Sequence, residues 1–342
     1  MKKKAKKPHN TTTVADEVGT ATTAELRERW TEDLTAAARG LDRATVKAFV
    51  AAYYRTQRDR IRLTNQVNAF AKDGRPIKVV EFLAREIEVV ERRFHKVLDI
   101  FSRHHPLGVW LRSIHGIGPV LAAGIIAYVD VSKARTPSSV WRYAGLSGPQ
   151  TWGPGQKRPF NADFKRLCYL IVRSMHMCAG HRDCVYGQWL KSFWSHEEHK
   201  NETGQLSAVA QEKLRALLAS KRWPLVDGQI PEQLKATLSP EMQHTVDCWI
   251  AGKLTKHHVM MRAYRKTAKL FLSHVFAVAW KLEHKTDAPL PYAFKHLGHD
   301  LTQFIPPPNE ELVQRISHAL ELPHEELWHE LEELAGQKVV VE

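Results

Sequence analysis

The 342-residue chain is predicted to be all-α. Nearly every long segment repeats its apolar residues at three- and four-residue intervals, glycine and proline gather between those segments, and strand-like alternation is hard to find. The expected architecture is a long helical hairpin or coiled coil, then a helical domain containing a helix-hairpin-helix element, then a small carboxy-terminal helix pair. Helices are predicted near 23–39, 43–72, 77–104, 107–114, 119–129, 138–145, 160–179, 205–221, 231–253, 256–284, 309–320 and 324–335.

Charge narrows the class of partner. Lys and Arg total 50 against 37 acidic residues, a net charge of +13 and a pI of about 9.6, so the surface field at neutral pH is positive and polyanions are the natural partners. No apolar run approaches the ~18 to 20 residues that span a bilayer, and no amphipathic helix stands out as a surface anchor, which favours nucleic acid over a membrane. The hydrophobic fraction of 43% supplies a real core. Cys168, Cys178, Cys184 and Cys248 are too few and too unevenly spaced for a disulfide scaffold, so a reducing cytoplasm is expected.

Taken in order, residues 1–22 read as a disordered basic arm, Met1-Lys-Lys-Lys-Ala-Lys-Lys7 having no apolar segment behind it. Residues 23–106 form the helical coiled-coil region. Val80, Leu83, Ile87, Val90, Phe94, Val97 and Phe101 make a heptad seam that needs a partner helix. That partner is either the preceding helix, with its looser stripe from Val46 to Phe70 and the turn Asp73-Gly-Arg-Pro76, or the same seam of a second copy in a homodimer.

Residues 107–287 carry the binding element. In Leu111-Arg-Ser-Ile-His-Gly-Ile-Gly-Pro-Val-Leu-Ala122, two short helices flank His115, Gly116, Ile117 and Gly118. The glycines permit a tight turn with positive φ and let a phosphate approach bare backbone. Pro119 suits the first helical position, and the free N–H groups of the second helix point at an anion. Ala122, Ala123 and Gly124 allow close helix packing. The pattern predicts a grip on phosphate without reading bases, and substitution of Gly116 or Gly118 by Glu is expected to cut DNA affinity without unfolding the chain.

The loop that follows adds Trp152, Lys157 and Arg158, a stacking surface beside positive charge, and Lys165, Arg166 and Arg173 continue along the next helix. Arg55, Arg58 and Arg62, and likewise Arg262, Lys266 and Lys269, recur at helical spacing and are candidate backbone contacts. Each tryptophan or charge has a plainer reading as a core anchor or a solvated face.

Cys178, His181 and Cys184 are metal-ligand residue types within a short run, and zinc is the cofactor they would take. Their spacing matches no common zinc module, and the cysteines also fit an apolar face. Asp130, Asp163 and Asp183 are too scattered for a two-metal nuclease site, and no phosphate-cradling loop or nucleophile elbow is present. Residues 288–308, from Ala288-Pro-Leu-Pro to Ile305-Pro-Pro-Pro308, read as a proline-rich linker. Residues 309–342 read as an acidic helical hairpin, a surface for another protein or a cap on the core.

The run Ile114-His-Gly-Ile-Gly-Pro-Val-Leu-Ala-Ala-Gly-Ile-Ile-Ala-Tyr-Val-Asp130, followed by Ser138-Ser-Val-Trp-Arg-Tyr-Ala-Gly-Leu146, resembles the carboxy-terminal domain of the insertion-sequence transposases related to the Piv DNA invertase, the IS-one-ten family. The resemblance covers about residues 50–180, extends through Arg262–Trp280, and has His115 where the family places proline. It implies a DNA-binding protein of transposition. Family members also carry an amino-terminal RuvC-like domain with four acidic metal ligands, for which residues 1–45 leave no room, and a nucleophilic serine soon after the Ala-Gly-Leu segment. Here that loop reads Gly148-Pro-Gln-Thr-Trp-Gly-Pro-Gly-Gln-Lys157, and Thr151 is its nearest hydroxyl. The expected function is therefore DNA binding without intrinsic nuclease activity. The alternatives are a recombinase subunit working with a separate catalytic chain or a guide RNA, and an architectural protein that recruits partners. Structured RNA is a second candidate ligand.

Overall fold

Residues 33–75, 77–148, 152–224, 230–298 and 300–336 are described by the computed structural model, and all regular structure among them is helical. The amino-terminal arm and Thr151 lie outside the described residues. A first helix occupies residues 33–39 (α1), and Asp42 then starts α2 (Arg43–Lys72), its carboxylate accepting from the amides of Ala44 and Thr45 at 2.7 and 2.8 Å. Such a cap is worth about 1 kcal/mol. Gly74, at φ +68°, helps turn the chain into α3 (Lys78–His104).

Most of the heptad seam finds a partner within the chain, on α2. Phe49 of α2 meets Phe94 of α3 edge to face at 5.8 Å, and the half-buried Val80 and Ile87 line the same side. Glu91, buried on α3, takes hydrogen bonds from Arg60 and Gln57 of α2. Leu83 and Val90 of the seam stay exposed, with Val79, Phe82 and Val89 beside them.

Two short helices follow, α4 (Pro106–Ser113) and α5 (Pro119–Tyr128). Val120 and all residues from Ala122 to Ala127 are buried in α5, the signature of a helix enclosed on every side. The guanidinium of Arg43 donates to the carbonyls of Ile126 and Val129, satisfying the carboxy-terminal end of α5. Two glycines permit this packing. A Cβ on Gly108 would sit 2.0 Å from the Ser102 carbonyl oxygen, and one on Gly124 would sit 2.8 Å from Leu167. Gly124 thus brings α5 against α7 (Ala162–Met177), where the sequence suggested that it served the pairing of α4 with α5.

The rest of the chain wraps this centre: α6 (Pro137–Tyr143), α8 (Val185–Glu202) and α12 (Lys256–His284). Sequence periodicity missed α8 altogether. Its stripe at Val185, Tyr186, Trp189, Leu190, Phe193 and Trp194 has helical spacing, but Gly187 interrupts it; a Cβ there would fall 2.7 Å from Ala179. The single helix expected over 231–253 is divided into α10 (Glu232–Lys235) and α11 (Pro240–Ile250). Pro240 cannot continue a helix from behind, and Ser239 caps the new one by accepting from the Met242 amide. α9 (Ser207–Lys221), α11 and the start of α12 close a satellite cluster around Leu214, Val246, Trp249 and Val259.

The proline-rich segment does not hang free. It contains a short helix, α13 (Tyr292–His296), and lies against the main core: Trp110 donates to the Pro308 carbonyl at 2.9 Å, and Phe294 meets Phe304 edge to face. The buried His274 sits between the Tyr186 hydroxyl and the Ile305 carbonyl, 2.8 Å from each. The acidic pair α14 (Glu310–Ala319) and α15 (His324–Gly336) contributes Leu312, Ile316, Leu331 and Leu334 to that same core.

Candidate nucleic-acid interface

The turn between α4 and α5 has one left-handed residue. Gly116 is at φ +94°, and its carbonyl accepts from Ser174 Oγ of α7 at 2.7 Å. Gly118, the second glycine of the turn, does not use the freedom to take positive φ: it is extended at φ −89°, ψ 177°, and a Cβ on it would meet nothing within 4 Å. It is the N-cap of α5, no side chain caps that helix, and Pro119 follows at the first helical position. No side chain therefore takes up the amides of the first turn, the arrangement in which a helix start can receive an anion. His115 is exposed and stacks on His181 at 4.2 Å, whereas Ile117 is buried and its side chain serves the core.

The carboxy-terminal half of α7 holds this turn, with Ser174 and Met175 against Gly116. Ten residues earlier on the same helix, about 15 Å away at 1.5 Å per residue, are Lys165 and Arg166. Exposed Arg166, Tyr169 and Arg173 form a stripe at helical spacing between the two regions. α7 itself begins at Asn161, whose side chain accepts from the Phe164 amide at 2.9 Å.

Around the start of α7 the structure gathers cations on aromatic faces. Lys165 lies over Phe160 at 4.6 Å, Arg158 over Trp152 at 6.0 Å, Arg166 over Tyr54 at 5.6 Å, and Lys269 over Trp141 at 5.2 Å. Trp152 is 45% exposed and packs edge to face on Phe160, so it lies on the surface instead of anchoring the core. Partial burial, with the positive charge of Arg265 and Arg158 nearby, pulls the Lys165 ammonium below its ordinary pKa; burial and Arg265 do the same to Lys269. Among the described residues no carboxylate comes within ion-pair distance of Arg158, Lys165, Arg166, Arg265 or Lys269. Their mutual repulsion is uncompensated, and an external polyanion would relieve it. Lys157 is exposed nearby in sequence, with no ring or carboxylate partner among the described residues.

Arg262 and Lys266 are placed differently. Both bind the carboxylate of Glu197, which is fully buried on α8. Burial alone would raise the Glu197 pKa, but hydrogen bonds and charge from Lys266 and Arg262 outweigh it and hold the group below its ordinary value. These two cations are half neutralised from within and serve the docking of α8 on α12. Sequence spacing identified the stripe on α12 but not the buried acid opposite it, and it passed over Arg265, the neighbour of Lys165 in space.

The run with metal-ligand residue types does not converge. Among the described residues no group of three or more His, Cys, Asp or Glu is placed to hold a metal ion. The Cys184 thiol, buried and with its pKa raised mainly by that burial, is directed at the carbonyls of Met175 and His115. His181 instead contacts Asp183 and His115. Of the three candidate zinc ligands, Cys178 packs against the core, Cys184 is buried and His181 is exposed. No helix of the described residues is long and apolar enough to cross a membrane.

Comparison of the chain with protein-family models, with curated proteins and with solved structures found no match.

Proposed function

We propose that the chain is a nucleic-acid-binding protein whose ligand backbone lies across the loop 152–161, the exposed stripe of α7 and the central part of α12. The observation that carries this reading is the group Arg158, Lys165, Arg166, Arg265 and Lys269, cationic and without carboxylate partners among the described residues, all but Arg265 laid on aromatic rings. Positive charge without internal neutralisation suits phosphate, and exposed Trp152, Tyr143 and Tyr169 suit unstacked bases at a strand end or distortion. The uncapped start of α5 at Gly118 extends the same path by about 15 Å along α7.

DNA is the ligand class, in keeping with the resemblance to a transposase carboxy-terminal domain, and binding is the role. Fluorescence anisotropy of a labelled duplex against the full chain tests this. Binding that weakens steeply and log-linearly with salt is expected; no binding at 50 mM salt would sink the reading. The resemblance also favours a second reading, a recombinase subunit acting with a separate nuclease chain or guide RNA. Strand cleavage or joining with divalent metal, measured beside binding on the same preparation, separates the two.

A further inference from the structure

Beside Arg166 the surface folds inward. A hollow of about 220 Å³ between α2 and α7 is floored by Val50, Leu167 and Leu170 and rimmed by Arg55, Arg58 and Arg166 with the rings of Tyr54 and Tyr128. Asp163 is the only acidic residue lining it among the described residues. All three arginines are exposed, and none reaches a carboxylate within ion-pair distance.

We propose that this hollow is a phosphate-monoester site that takes the terminal phosphate of a nucleic-acid strand. The proposal rests on the nucleic-acid reading above and names the part of the ligand that this corner receives. Charge is the first argument: three guanidinium groups against one carboxylate leave a balance of two positive charges, which matches a monoester dianion better than the single charge of an interior diester. Shape is the second, because a floored hollow admits a group that enters end-on, whereas a continuous backbone must pass across an open surface.

The donor set is the third argument. Guanidinium groups offer paired N–H donors suited to the oxygens of a phosphate, and an arginine cluster is a recurrent solution for monoesters. The phenols of Tyr54 and Tyr128 are protonated at neutral pH as any tyrosine is, and burial, which pushes each up to about 12, keeps them so beside a bound anion. Arg166 already lies over the Tyr54 ring, which fixes one wall. A cytosolic mononucleotide presents the same chemistry as a strand end, so the test has to separate them.

Two short duplexes of one sequence, one with 5′-phosphates and the other with 5′-hydroxyls, are titrated against the full chain, and thymidine monophosphate is compared with thymidine in thermal melts. About tenfold tighter binding of the phosphorylated duplex is expected. Arg55→Gln and Arg166→Gln, both at exposed positions, should each reduce that preference to about two-fold or less, whereas Lys269→Gln should weaken both duplexes equally. Millimolar thymidine monophosphate should raise Tm by about 2 °C over thymidine in the parent chain and not in Arg166→Gln. Should neither duplex bind while the nucleotide still raises Tm, the nucleic-acid reading falls and the hollow is a site for free monoesters. Equal binding of the two duplexes with a Tm shift from the nucleotide would assign it likewise. Equal binding of the duplexes with no difference between nucleotide and nucleoside would overturn the proposal.

Discussion

Removing charge from the face around α7 gives the sharpest quantitative consequence of the reading. If Arg158, Lys165, Arg166, Arg265 and Lys269 each neutralise one phosphate of a duplex, the slope of log K against log salt is about −4.5, at about −0.9 per phosphate. Affinity then falls roughly 500-fold between 50 and 200 mM salt. The triple variant Lys165→Gln/Arg166→Gln/Arg265→Gln keeps two of these cations, so its slope is about −1.8 and its loss over the same range is about 12-fold. All three side chains are exposed and none is in an ion pair, so the fold is retained and a circular dichroism spectrum like that of the parent is expected. The assay is anisotropy at several salt concentrations with one labelled duplex. A triple variant whose slope equals that of the parent would refute the placement of phosphates on this face.

Further consequences concern the elements that hold the face in position. Gly116→Ala should cost about 1–2 kcal/mol in a thermal or denaturant melt because φ +94° is strained for any residue with a Cβ, while Gly118→Ala, with open space and ordinary backbone angles, should leave the melt unchanged. Glu197→Gln leaves two partly solvated cations facing a neutral buried group and should lower stability by about 1–2 kcal/mol, visible as a reduced denaturant midpoint. The His274 ring, held down to about 4 chiefly by burial, lies below its unfolded value. Its contribution is therefore complete above about pH 6.5 and declines as pH falls toward 4, roughly 1.4 kcal/mol being lost by pH 5.5. His274→Gln should remove about 1.4 kcal/mol of the decline measured between pH 7.5 and 5.5 and leave the similar part due to His105, held down to about 4 by burial and by Arg43.

The fold class was legible because apolar spacing in helices such as α3 and α12 is dictated by burial on one side, and α5 announced itself as an unbroken apolar run. The turn at Gly116 was legible too, since a Gly-x-Gly pair between two apolar helical segments marks a tight turn, although which of the two glycines takes the positive φ was not. Three things were not. α8 was hidden because Gly187, required by close contact with Ala179, breaks the pattern that otherwise marks a helix. The role of Arg262 and Lys266 depends on Glu197, 65 residues from Arg262, and no local spacing reveals an ion pair made across two helices. The packing of 288–308 follows from single hydrogen bonds such as Trp110 to Pro308, while its proline content speaks only of an extended path. For the interface, sequence found most of the charges, but only the fold distinguishes cations that are paired within the protein from those left open.

The most direct test of that distinction is ultraviolet cross-linking of the full chain to a duplex with single-stranded overhangs, followed by mass spectrometry of the attached peptides. The account predicts adducts at Trp152, Tyr143 and Tyr169, the exposed aromatic residues of the basic face. Adducts confined to the satellite cluster around α9 and α11, or to the acidic pair α14 and α15, would contradict it.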